Sequence, residues 1–145
     1  MKAKRFFLLL LAAGMTLTSC VNKVVVPSSQ AVKLDYDVHS SQWQLNDGYY
    51  RATLDVPDIT TSVVNHGKVD VARRYPGEGR GGSDVWTPLP CMQTEMEVVN
   101  GVDVYFTTFV DYEWSERTVD IFVTASDLYT GNVPPTMHFR VFVTK

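Results

Sequence analysis

From Leu34 onward the chain alternates apolar and polar side chains with a period of two, the repeat of a strand that buries one face. Leu34, Tyr36 and Val38 alternate with Asp35, Asp37 and His39. Trp43 and Leu45 carry the pattern up to Asn46-Asp47-Gly48, a hairpin turn signal. Residues 49–56 set Tyr50, Ala52, Leu54 and Val56 on one face and Arg51, Thr53 and Asp55 on the other, until Pro57 stops the strand. Asp58 as N-cap and Gly67 as C-cap bracket a short helical turn, although its β-branched residues weaken it. Residues 68–75 return as a strand with Val69 and Val71 inward, and 85–89 form a short one ending at Pro88 and Pro90. Residues 92–99 and 102–114 flank Asn100-Gly101, the pair best suited to a two-residue hairpin that needs positive φ twice. Residues 118–126 and 137–144 supply two more strands.

The pattern predicts an all-β domain, an antiparallel β-sandwich of about eight strands with no long helix. Its inward set includes Leu54, Phe106, Val110, Ile121, Val123, Phe139 and Val141. The opposite, nominally wet set carries Tyr105, Phe109, Phe122 and Phe142 among charges. If the last three strands pair in sequence order, these four rings share one sheet face. Either another segment covers them, such as residues 57–66 or the N-terminal arm, or they form a platform for a glycan or a peptide.

The residues before this pattern have a different character. Lys2, Lys4 and Arg5 precede an uncharged run of 12 residues, 6–17. A spanning helix needs about 20. The run ends in Leu17-Thr18-Ser19-Cys20, which resembles the lipobox of bacterial lipoprotein precursors. The resemblance implies cleavage before Cys20 and acylation of its sulfur, so the protein meets the membrane through an N-terminal lipid. At about 0.8 kcal/mol per buried CH₂, two or more acyl chains hold a protein firmly. The organisation is therefore a lipoprotein signal peptide (1–19), a lipidated tether (20–33) and a β-sandwich domain (34–145). Fully extended, the tether reaches roughly 40 Å.

Losing the leader removes Lys2, Lys4 and Arg5 from the 13 basic residues, leaving 10 against 16 acidic ones and a formal charge of −6. That balance argues against nucleic acid and against docking on anionic lipid. With Cys20 lipidated, Cys91 is a lone thiol, flanked by Pro90 and Met92 and far in sequence from His39, His66 and His138. It reads as a small hydrophobe. Gly77-Glu78-Gly79-Arg80-Gly81-Gly82 matches GxGxxG, but no helix follows it and no lysine stands where a phosphate loop needs one. It reads as a hairpin loop, with Arg73, Arg74 and Arg80 offsetting Glu78 and Asp84. No zinc or calcium ligand spacing is present, so no metal or other cofactor is expected.

The strings SSQWQLNDGYYRATLDVPDIT, WTPLP, YEWS, SDL and MHFRVFVTK resemble a group of small Bacteroidota lipoproteins with a β-sandwich domain and no established activity. The resemblance covers most of residues 36–145. It implies fold and location and transfers no catalytic residue. Surface-displayed lipoproteins of that phylum tend to carry acids after the cysteine. Val21, Asn22 and Lys23 stand there instead, which favours the periplasmic side of the outer membrane. The expectation is a monomeric, non-catalytic envelope protein with a structural or binding role. Its rivals are a glycan or peptide binder, an envelope hydrolase with paired carboxylates (Asp55 with Asp58, or Asp103 with Asp111), and an assembly subunit joined through an edge strand. Mass spectrometry of the mature N-terminus is expected to show an acylated Cys20; a water-soluble form cleaved elsewhere would contradict the lipobox assignment.

Overall fold

The computed structural model describes residues 31–127 and 131–145. The domain is an all-β sandwich of two antiparallel sheets. Its strands are β1 (Ala31–Val38), β2 (Gln44–Asn46), β3 (Tyr49–Asp55), β4 (Lys68–Tyr75), β5 (Val85–Pro88), β6 (Cys91–Val99), β7 (Val102–Ser115), β8 (Thr118–Ala125) and β9 (Met137–Thr144), with one short helix, α1 (Thr61–His66), between β3 and β4. One sheet has the order β1-β9-β4-β5 and the other β2-β3-β8-β7-β6.

Most elements follow from the local pattern, with a few shifts. The first strand begins at Ala31, three residues inside the segment expected to be tether. The helix starts after Thr60 rather than at an Asp58 cap. Instead the Ile59 N–H donates to the Val56 carbonyl (3.0 Å), and this turn delivers Ile59 into the core. The C-terminal end is as expected: the Gly67 N–H closes on the Val63 carbonyl at 2.8 Å. A Cβ at Gly67 would lie 2.5 Å from the Thr144 carbonyl oxygen, so only glycine lets this corner pass under β9. At the β6–β7 turn Asn100 (φ 53) and Gly101 (φ 79) both adopt positive φ, the primed geometry that matches strand twist.

The core lies between the sheets. Val38, Val56, Ile59, Val63, Val119, Ile121, Phe139, Val141 and Val143 are fully enclosed. Burying each such side chain contributes about 1.5–3 kcal/mol. Three ring polar groups bridge otherwise distant parts. The Tyr36 hydroxyl of β1 donates to the Asp55 carbonyl at the end of β3 (2.9 Å). The Tyr112 hydroxyl of β7 donates to the Val69 carbonyl of β4 (3.1 Å). The Trp43 indole N–H donates to the Pro135 carbonyl (3.3 Å). Burial pushes both tyrosine hydroxyls above their ordinary range, so they remain neutral donors.

The two ends of the sandwich differ. At one end residues 56–67 plug the gap with Ile59 and Val63, and bind the β7–β8 turn through Val56 N–H to Arg117 C=O (2.7 Å) and Arg117 N–H to Ile59 C=O (2.9 Å). At the other end β7 outruns β8. Its ladder with β8 begins at Thr108, Thr107 still bonds Ser126 (2.8 and 3.0 Å), and residues 102–106 pair with β6 alone. The β6–β7 hairpin thus projects as an arm. Phe106 points inward as expected but is half-buried, because the arm has left the second sheet behind. Ile121→Ala is expected to destabilise by about 2–5 kcal/mol in urea melts. Phe106→Ala should cost clearly less than Ile121→Ala, since its site already opens to solvent.

Candidate functional site

Cys20 lies outside the described residues. The four rings expected to share a face divide between the two sheets. Tyr105 and Phe109 on β7 and Phe122 on β8 do stand together on the outer face of the five-stranded sheet. Phe142 does not join them: β9 crosses to the other sheet, between β1 and β4. Pairing in sequence order fails there because Phe139, Val141 and Val143 roof the core from the opposite side. Phe142 sits instead between Lys33 and Asp70.

Around Phe109 and Phe122 the outer face forms a shallow depression lined by Tyr49, Asp111, Glu113 and Thr124. Tyr49 packs edge-on against Phe122, with ring centroids 5.7 Å apart. From this depression an apolar surface runs out along the arm. Met92 pairs with Phe109, and Met96 pairs with Tyr105. Their exposures are 71% for Met92, 52% for Met96, 67% for Tyr105 and 43% for Phe109, and Val98 continues the row at 60%. Residues 57–66 do not cover this face, because they plug the far end of the sandwich.

β6 explains why so much apolar surface faces out. Its own alternation, read in isolation, would turn Met92, Met96 and Val98 inward and Gln93, Glu95 and Glu97 to water. The register against β7 does the reverse: Cys91 opposes buried Val110, Gln93 opposes Thr108, Glu95 opposes Phe106 and Glu97 opposes Val104. The Asn100-Gly101 turn and the stronger inward row of β7 set the phase, and β6 must follow. Glu95 and Glu97 therefore enter the open mouth of the sandwich. That mouth is a cavity of about 420 Å³, with Phe106, Val104, Val123, Met137, Pro134 and Pro135 among its apolar walls. Among the described residues, neither glutamate has an ion-pair partner. No sequence signal for this mouth precedes knowledge of where the second sheet ends.

The outer face of the four-stranded sheet is of another kind, with its charges paired. Arg140 forks onto Asp35 (2.6 and 3.1 Å) and stacks over the Trp86 ring at 3.7 Å. His138 bonds Asp37, and Lys68 meets Asp70 at 2.9 Å. The glycine segment is the β4–β5 hairpin loop, as its composition implied, with Arg74 facing Asp84 at 3.5 Å. Cys91 packs against the core edge with its Sγ 3.7 Å from the Tyr75 hydroxyl. Burial, helped by this contact, pushes the Tyr75 hydroxyl up to about 12, so it offers the thiol no base near neutral pH. Among the described residues no His, Cys, Asp or Glu side chains gather as a metal site would.

Comparison with known protein families, with curated proteins and with solved structures returns no match, so the site is interpreted from its own geometry.

One ion pair borders the aromatic depression. Arg51 forks onto Asp120 (3.1 and 2.7 Å), and Thr53 adds a third donor. Burial alone would raise the Asp120 carboxyl, but the bonds from Arg51 and Thr53 and the Arg51 charge together hold it below its ordinary value of 3.8. A depressed carboxylate stabilises the fold above its ordinary titration range and loses that contribution as the pH falls through its lowered value. Melting temperatures between about pH 5 and about pH 2 should therefore fall less steeply in Asp120→Asn than in the native protein. Asp35, held low chiefly by its bond from Arg140, keeps the residual slope above zero.

Proposed function

We propose that this is a lipid-anchored, non-catalytic binding module of the bacterial cell envelope. Cys20 holds it on the periplasmic side of the outer membrane, and it engages a protein partner through the outer face of its five-stranded sheet. The observation that carries this reading is the exposed set Met92, Met96, Val98, Tyr105 and Phe109, interrupted on the same face by the Thr94–Thr107 pair. Monomeric domains rarely leave such a surface open without an interaction to cover it. Methionine suits it, because an unbranched thioether adapts to a partner's contours. The row lies on a β-arm with a single neighbour over much of its length, and isolated two-stranded arms are marginal in water. A partner that covers the arm recovers both apolar burial and order.

Binding fits the carboxylates better than catalysis does. Asp103 and Asp111 share the outer row of β7 but stand eight residues apart, or about 26 Å along an extended strand. Glycosidic acid–base pairs lie about 5–10 Å apart. Glu95 and Glu97 stand side by side on one strand rather than facing each other across a substrate.

A second reading rests on the depression itself. Tyr49, Phe109 and Phe122 offer ring surface beside Asp111 and Glu113, the combination that stacks on the apolar face of a sugar and bonds its hydroxyls. The two readings separate by variant. Met96→Lys combined with Tyr105→Ser should keep the native melting temperature and abolish protein cross-links in intact cells. Phe109→Ser should abolish binding on a glycan array if a sugar is the ligand. If both variants left cross-links and array binding untouched, the outer face would have no binding role.

A further inference from the structure

The outer face is one side of β6; its free edge and its inner row are another matter. β6 closes the five-stranded sheet, and among the described residues it has no neighbour beyond β7. It is nine residues long and contains no proline, lysine or arginine after Cys91. The remaining sheet edges are guarded better. β2 has three residues, β5 has four and ends at Pro88, and β1 carries Lys33, Asp35 and Asp37. Among the described residues β6 is thus the longest edge, and its inward-pointing Glu95 and Glu97 guard it against strands that bring no cation.

The side chains on its two faces say what kind of strand. The outer row Met92, Thr94, Met96 and Val98 is exposed and, apart from Thr94, apolar. The inner row places Glu95 and Glu97 at the cavity mouth without a cation. Two adjacent carboxylates over an apolar floor favour an ammonium or guanidinium on an aliphatic stem. The same carboxylates disfavour a second copy of the chain in its longest two-fold register and in the one centred on Met96, while a register centred on Thr94 escapes the clash. Two-fold pairing over the whole strand would centre on Glu95 and set it opposite its own copy. Pairing centred on Met96 would set each Glu95 opposite a Glu97. Like charges directly opposed destabilise a sheet pair.

We infer that β6 receives an extended segment of a basic partner by strand addition. Its alternate lysine or arginine side chains point into the mouth toward Glu95 and Glu97, and its intervening apolar side chains lie beside Met92, Met96 and Val98. Backbone bonds to the edge supply affinity, and the two rows supply selectivity. This goes beyond the outer-face reading, because it uses the strand's edge and inner row and makes no demand on Phe109.

The test uses the full chain and three synthetic eight-residue peptides: one alternating lysine and valine, one alternating glutamate and valine, and the lysine–valine peptide N-methylated at every second residue. Fluorescence anisotropy should show binding of the first and at least tenfold weaker binding of the other two. The lysine–valine affinity should fall as salt rises. Glu95→Gln combined with Glu97→Gln should weaken it at least tenfold, while Asp70→Asn, which removes a carboxylate on the other sheet, should leave it unchanged. In the unaltered protein, the peptide should slow amide exchange along residues 91–99, a readout that no substitution can confound. Equal binding of the N-methylated peptide would overturn strand addition. An unaffected double glutamine variant would overturn the role of the carboxylates. A concentration-dependent dimer that the peptide disperses would assign the edge to a second copy. Loss of binding in Phe109→Ser alone would return the site to the outer face, so the two readings fail separately.

Discussion

The phase of β7 governs the rest of the domain. This strand runs for fourteen residues, with Val110 buried and Tyr112 and Trp114 packed against the core from the same row. Slipping it by one residue would exchange its faces and expose that row. Its Tyr112 hydroxyl also reaches across to β4 in the opposite sheet. Both neighbours take their orientation from it. β8 follows with Val119, Ile121 and Val123 inward, in agreement with its own alternation. β6 follows against its alternation, and the cost is an apolar row in water and two glutamates at the mouth of the core. A local pattern has yielded to a longer, better buried strand, and the conflict lies where the binding surfaces are proposed. Such conflicts between local preference and global fold concentrate at functional positions.

The two ends of the sandwich show how coverage, rather than composition, makes a site. At the closed end Ile59 and Val63 are inserted from a loop and a single helical turn, and the adjoining backbone is tied to the β7–β8 turn. At the open end Val102, Val104 and Phe106 carry the inward alternation of β7 outward past the last strand that could cover them. Apolar side chains reach both ends. The ends differ in whether a second layer lies within reach, and the unfilled space is the cavity lined by Glu95 and Glu97.

The outer faces of the sheets make a parallel contrast. The four-stranded sheet answers its charges on the spot: Asp35 with Arg140, Asp37 with His138, Lys68 with Asp70, and Arg140 again with the Trp86 ring. Exposed pairs of this kind add little stability individually. The five-stranded sheet pairs Arg51 with Asp120 at one side and then gives way to Phe109, Met92, Met96 and Tyr105.

Much of this architecture was legible in the sequence. The alternation of 49–56, 68–75, 118–126 and 137–144 identified the strands and their buried faces, because a strand's period of two is a local property. Asn100-Gly101 located the longest hairpin, because few residue pairs tolerate positive φ twice in succession. What the sequence could not decide was membership and extent. Phe142 has the same local setting as Phe122, yet β9 belongs to the other sheet because its inward row meets residues more than a hundred positions away, as in the pairing of Phe139 with Tyr36. The faces of β6 were set by its partner, and the exposure of Phe106 by the point at which β8 stops. Each of these is a relation between distant segments, and only the packed structure holds them.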